Sequence, residues 1–338
     1  MPGITEYSLQ QLVAERQSAK PGRFCIGLDP IIEKTPACIR GPSPGIRVAI
    51  HMMGIVDATH DSAAAFKPQR AHWEGLPGGV EGLRMLIAYI HTRYPDIPVI
   101  LDAKRGDIDR TQAMYGFAHF VLDEVDALNF NPYMGRDCLE QLIGADASGH
   151  RGLITLGRTS NPGAWEIQDA CLKNGMRVWE YALERAYFWA VMNGVVNRFG
   201  AVMGAAHDTS QLDKYKGTIA EQPYAQGEKI FDWHLRRGRE IIGDSLYLVP
   251  GLGKQKGHTA ATLHAAWRGP GTVLLSSSSA MTQASMGDDY LAAAEKAARK
   301  QFDENSKIIA EIDTPQVSSR PVIKGGPSHD RFNEKYRK

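Results

Sequence analysis

The stretch Val99–Ile108, VILDAKRGDI, packs three side chains able to do acid, base and electrostatic work into six positions: Asp102, Lys104 and Asp107. An ammonium two residues from a carboxylate holds a fixed positive charge against a fixed negative one. That pairing can stabilise a developing carbanion or deliver a proton to it. Val99–Leu101 reads as a buried strand, so Asp102 and Lys104 fall at its C-terminal end, and strict two-residue alternation would point both to the same side. Alone, such a pair is more often a structural ion pair. Two further charges end apolar runs in the same way, Lys67 in AAAFKPQ and Asp29 in FCIGLDP. Solvation alone does not explain three apolar strands that each end in a charge.

The elements that must carry these residues alternate along the chain. Short β-branched or apolar runs at Phe24–Leu28, Ala64–Pro68, Val99–Ala103, Ala127–Phe130, Leu153–Leu156, Ala201–Gly204, Leu246–Val249 and Thr272–Leu275 are separated by stretches of helical period such as 80–93 and 111–124. Repeated strand and helix argue for an α/β fold with a parallel sheet, and eight strands match a (β/α)8 TIM barrel, whose active sites lie at the C-terminal ends of its strands. Residues 1–300 are expected to form this barrel domain. The polar 208–227 stretch, which contains Pro223, reads as an insertion or mobile loop, and residues 301–338 as a polar, loosely packed C-terminal extension.

Bulk properties narrow the function. Among 338 residues, Lys+Arg number 39 and Asp+Glu 38, for a net charge of +1. No global field therefore favours nucleic acid or an anionic membrane, and an anionic ligand must be held by local groups. No long uncharged apolar run or signal-like N-terminus is present, so the chain reads as a cytoplasmic protein. The four cysteines, Cys25, Cys38, Cys138 and Cys171, show no metal-ligand spacing and read as reduced thiols.

DAKRGDI with Thr111, IGLDP, FKPQ, NFNPYMG, RTSNPGA and VPGLGKQKG occur in an order and spacing that resemble the orotidine 5'-phosphate decarboxylase family, in particular its longer bacterial subfamily. The resemblance runs from about residue 22 to about residue 282. It implies a lyase that needs no cofactor or metal and converts orotidine 5'-monophosphate to uridine 5'-monophosphate in pyrimidine biosynthesis. Lys67, Asp102, Lys104 and Asp107 would form the alternating charge tetrad, with Asp102 facing the departing carboxylate and Lys104 giving a proton to C6. Asp29 and Lys67 would hold the ribose hydroxyls, Ser160 the pyrimidine and Gln255 the phosphate. Asp107 and Thr111 would reach into a partner subunit's site, which implies a homodimer with shared active sites.

The chain departs from the family at the phosphate. Where the family has an arginine after its last strand, this sequence reads SSSSAM, placing Ser279 there. Serine offers one neutral donor in place of two charge-assisted bonds. Lys254 and Lys256, flanking Gln255, could restore the charge, or could be solvated loop lysines. The departure leaves two alternatives open: a homologue acting on another nucleotide, nucleoside or sugar phosphate, and a nucleotide-binding homologue without turnover. His207 and Arg158, near the same rim, are left without a role, and Arg105 is expected to order the loop or sit at an interface.

Overall fold

The computed structural model describes residues 7–208, 229–252 and 257–314. Eight parallel strands form the centre: β1 Phe24–Gly27, β2 Ala63–Lys67, β3 Ile100–Arg105, β4 Ala127–Phe130, β5 Gly152–Leu156, β6 Phe199–Val202, β7 Leu246–Val249 and β8 Val273–Ser277. The ladder runs β2-β1-β8-β7-β6-β5-β4-β3. Parallel bridges Phe66↔Val99 and Gln69↔Asp102 join β2 to β3 and close the barrel. The strands begin as apolar runs without regular polar alternation because both of their faces are covered. One face packs on the lumen, where Cys25, Ala65, Ile154, Val202, Leu248 and Leu274 meet. The other packs under the helices, against residues such as Val48, Leu86, Leu142 and Leu183.

Capping chemistry sets the starts of two helices. Ser8 and Gln11 form a reciprocal capping box at the head of Leu9–Ala19. Ser43 accepts from the Ile46 N–H, with Pro44 as the first residue of Pro44–Thr59. The first of these helices stoppers the N-terminal end of the barrel, with Leu9 and Val13 in the lumen cluster. The active rim is left at the opposite end. The helix expected at 80–93 is Gly79–Arg93. The one expected at 111–124 divides into an α-helix, Asp109–Gly116, and a π-helical turn, Phe117–Leu122.

The structure corrects two expectations. The extension does not begin at residue 301, because helix Tyr290–Asp313 continues through that point. Ile309 and Asn305 are buried, and the Asn305 amide donates to the Gly22 carbonyl at 3.2 Å, so this polar-looking segment packs on the barrel. Strand β3 is also not a regular alternation. Its pairing to β4 jumps from Leu101↔Leu128 to Arg105↔Phe130, and Lys104 sits at φ 48° in the left-handed region. The 208–227 insertion, apart from Asp208, and the chain after residue 314 lie outside the described residues.

Candidate active site

The C-terminal rim gathers charges from three neighbouring strands. Lys67, the last residue of β2, places its Nζ 3.2 Å from Asp102 Oδ2 and 3.9 Å from Asp29 Oδ1, just beyond β1. Lys104 Nζ lies 2.5 Å from Asp102 Oδ1. Asp102 therefore stands between two ammoniums, and Lys67 between two carboxylates. The Asp29 carboxylate also accepts from the Gln69 N–H at 3.1 Å, which ties the β1 end to the β2 end.

Burial and charge oppose one another here. Burial pushes the Asp102 carboxyl upward, but Lys67, Lys104 and a donated Asn129 hydrogen bond outweigh it and hold the group below the ordinary carboxylate range. Burial likewise presses Lys67 to lose its proton, and the facing Asp29 and Asp102 overcome that, raising it above an ordinary lysine. Both groups thus stay charged at neutral pH. Beneath them, burial drives the Cys25 thiol up to about 12, so it is a packing group and no thiolate nucleophile.

Asp29, Lys67 and Asp102 open into a cleft of about 340 Å³, whose far wall is made by Pro250 and Gly251 after β7 and by Ser276, Ser277, Ser278 and Ser279 at the end of β8, with Gln283 beyond. Close approach of Ser278 to β1 depends on Gly27, because a Cβ there would lie 2.6 Å from the Ser278 Cβ. Ser279 is thus in the cleft, at its serine-lined end. Among the described residues, the β7 and β8 side of the cleft carries no cation. Lys254, Gln255 and Lys256 fall outside the described residues.

Other expected site residues are placed differently. Ser160 lies in the loop after β5, its backbone against Gly204 beyond β6, where a Cβ would come within 3.1 Å of the Ser160 Cα. It does not line the cleft. Asp107 and Thr111 do not line it either. The Asp107 carboxylate accepts from its neighbour Ile108 at 2.8 Å, and Thr111 is exposed on the helix that follows.

The structure supplies roles that the sequence left open. Arg158 forms a buried two-pronged ion pair with Asp169, at 2.9 and 2.8 Å, which locks the loop carrying Ser160. Its backbone carbonyl also accepts from Gly204, whose own carbonyl takes a 2.7 Å bond from the buried His234 Nε2. His207 lies at a tilt against the Phe231 and His234 rings, and burial, aided by Arg158, lowers its pKa to about 4. Arg105 anchors the end of β3. It donates to Glu74 at 2.8 Å and to His119 Nε2 at 3.2 Å, and lies over the Tyr115 ring. Behind it, the fully buried Asp123 carboxylate is shared by Arg70, Arg84 and His119.

Two further polar residues adjoin the charge array. His72 joins the cleft wall from the helix after β2. Asn129, in the middle of β4, donates to Asp102 Oδ1 at 2.7 Å. A polar side chain inside the otherwise apolar run ALNF was the available signal. Among the described residues, no group of three or more His, Cys, Asp or Glu side chains is disposed to hold a metal ion, and no helix is long and apolar enough to cross a membrane.

A family model described as orotidine 5'-phosphate decarboxylase / HUMPS matches residues 22–220. An orotidine 5'-phosphate decarboxylase of Ralstonia nicotianae is 36% identical over 283 residues, covering 83% of this chain and 92% of that protein. One from Cellvibrio japonicus is 36% identical over 272 residues, covering 80% and 88% respectively. Among solved structures, the OMP decarboxylase of Leishmania donovani superposes with a TM-score of 0.67 at 27% identity, over 89% of this chain and 98% of that one.

Proposed function

This chain belongs to the orotidine 5'-phosphate decarboxylase / HUMPS family, and from that premise we propose that it converts orotidine 5'-monophosphate to uridine 5'-monophosphate in pyrimidine biosynthesis, using the Lys67, Asp102 and Lys104 array. The observation that carries the reading is the alternation of carboxylate and ammonium through Asp29, Lys67, Asp102 and Lys104, with Asp102, which lines the cleft, held ionised between two lysines.

In this reading the C6 carboxylate of the substrate sits beside Asp102. The bond between C6 and the carboxylate carbon breaks, carbon dioxide leaves, and the electron pair stays on C6. The Lys104 ammonium stabilises that charge and then transfers a proton from Nζ to C6, recovering one from solvent afterwards. A fixed cation aimed at developing charge lowers the barrier without reorganisation at the moment of reaction. Repulsion between Asp102 and the substrate carboxylate adds to this, but the ammonium carries the larger share. Asp29 and Lys67 hold the ribose hydroxyls. Ser160, by its match to the family motif, is assigned to the pyrimidine. Gln255, Lys254 and Lys256 meet the phosphate together with Ser279.

The active unit is a homodimer. Ile108, Met114, Phe117 and Val121 are each between 43% and 55% exposed on the segment that follows β3, and Tyr133, after β4, is 83% exposed. An apolar strip of this kind calls for a partner surface. Asp107 and Thr111, set away from this chain's own cleft, border the strip and serve the partner's site. The reduced state of all four cysteines fits a cytoplasmic setting.

The test is direct. Chelator-treated protein is mixed with orotidine 5'-monophosphate and the loss of orotate absorbance is followed. Turnover is expected, and Lys104→Ala should abolish it. A wild-type protein that releases no product at any substrate concentration would overturn the reading.

A further inference from the structure

Three residues of β3 face a single residue of β4. Asp102, Ala103 and Lys104 lie between the pairs Leu101↔Leu128 and Arg105↔Phe130, so Asn129 alone stands opposite them. A bulge of this size removes backbone hydrogen bonds from the ladder and leaves buried donors to be met in another way. Asn129 meets them with its side chain. Its Oδ1 accepts from the Ala103 N–H at 2.8 Å and from the Lys104 N–H at 2.7 Å. Those two donors fix the orientation of the amide, because only the oxygen can accept. The Nδ2 is then turned outward and donates to Asp102 Oδ1 at 2.7 Å, the same oxygen that contacts Lys104 Nζ.

We propose that Asn129 is a positioning residue for the reaction: one buried amide holds Lys104 in its left-handed backbone conformation and aims the Asp102 carboxylate, so that both reacting groups share one reference point on β4. The requirement is steric as well as polar. A lysine at φ 48° has its Cβ crowded against its own carbonyl, and such a conformation persists only where surrounding bonds impose it. Asn129 is itself 1% exposed and cannot exchange these bonds for water.

The kinetic readout rests on the decarboxylase reading, so wild type is assayed first. Asn129→Ala removes all three bonds and is expected to lower kcat about 100-fold, as small misplacements of reacting groups do, with KM within about threefold of wild type. Asn129→Asp keeps the shape but sets a second carboxylate against Asp102. Like charges raise carboxyl pKa values, so kcat should fall and the acid limb of its pH profile should move upward by about one unit. Kinetics are expressed per folded enzyme, measured by thermal unfolding of the same samples. Should Asn129→Ala not fold, the isosteric Asn129→Asp carries the test. An unchanged kcat per folded enzyme, a change in KM alone, or a superimposable Asn129→Asp pH profile overturns the inference. Should wild type show no turnover, the decarboxylase reading fails separately. The Lys104 Nζ resonance in 15N-lysine NMR then decides positioning: displacement in Asn129→Asp supports it, and identity with wild type refutes it.

Discussion

Replacing Lys67 by methionine keeps most of the side-chain volume and removes one charge from a buried array. Two carboxylates, Asp29 and Asp102, then lose the ammonium lying 3.9 and 3.2 Å away. Breaking a fully buried pair costs about 3–5 kcal/mol. Side chains of Asp29 and Asp102 are 23% and 14% exposed to the cleft, and Asp102 keeps Lys104 and Asn129, so the expected loss is smaller, about 2 kcal/mol. At about 2.1 cal/mol/K per residue, the unfolding entropy of 338 residues is about 0.7 kcal/mol/K, which converts that loss to a fall in Tm of about 3 °C at pH 7.

The assay is a double-mutant cycle by calorimetry, with Lys67→Met made in wild type and in Asp102→Asn. With the facing charge already neutralised, the substitution should cost only about 1 kcal/mol. The sign with pH follows from Asp102, whose carboxyl is depressed in the folded protein. Its contribution is present above the unfolded value near 3.9 and is lost as pH falls toward the folded one, so the gap between wild type and Lys67→Met narrows below about pH 4. Costs that agree within about 0.5 kcal/mol in the two backgrounds, or a gap that does not change on acidification, would refute the coupling.

At the serine-lined end of the cleft, Ser279→Arg should tighten substrate binding about tenfold by supplying a two-pronged phosphate contact, while Lys254→Ala and Lys256→Ala weaken it; titration calorimetry with uridine 5'-monophosphate measures all three, and unchanged affinity in both lysine variants would remove those lysines from the site. A double change, Phe117→Glu with Val121→Glu, places charge on the exposed apolar strip and should yield a folded monomer in sedimentation with little turnover; a fully active monomer would show that each chain completes its own site.

Much of this architecture could be read from the chain because buried parallel strands leave a plain mark, apolar runs that end in charge. β4 and β7 fall on their expected residues, Ala127–Phe130 and Leu246–Val249. β6 is displaced toward its N-terminus, starting at Phe199, because beyond Val202 the backbone leaves the ladder: Met203 and Ala205 donate to Leu248 and Pro250, but Gly204 turns to Arg158 and Ala206 to Thr262. The last helix was hidden for a different reason. Its apolar face is sparse, and Asn305, which looks like a surface residue, is spent on the Gly22 carbonyl. At the site, Asp29, Lys67, Asp102 and Lys104 were legible as charges at strand ends. Asn129 was not, since its use depends on a bulge in the neighbouring strand, and register shifts leave no periodic trace in a short run. Nor did Arg158 disclose its partner, which lies eleven residues on in a loop of its own.

The cleft has two chemically distinct walls. The charged wall is rooted in β1, β2 and β3, braced from β4, whereas the serine-lined wall is rooted in β7 and β8. β8 pairs directly with β1, so the two walls meet where Ser278 packs over Gly27, and Ser279 follows one residue beyond that contact. Under the proposed reading, a serine standing where a charged clamp would be expected alters the serine-lined wall and leaves the ion pairs of the charged wall in place.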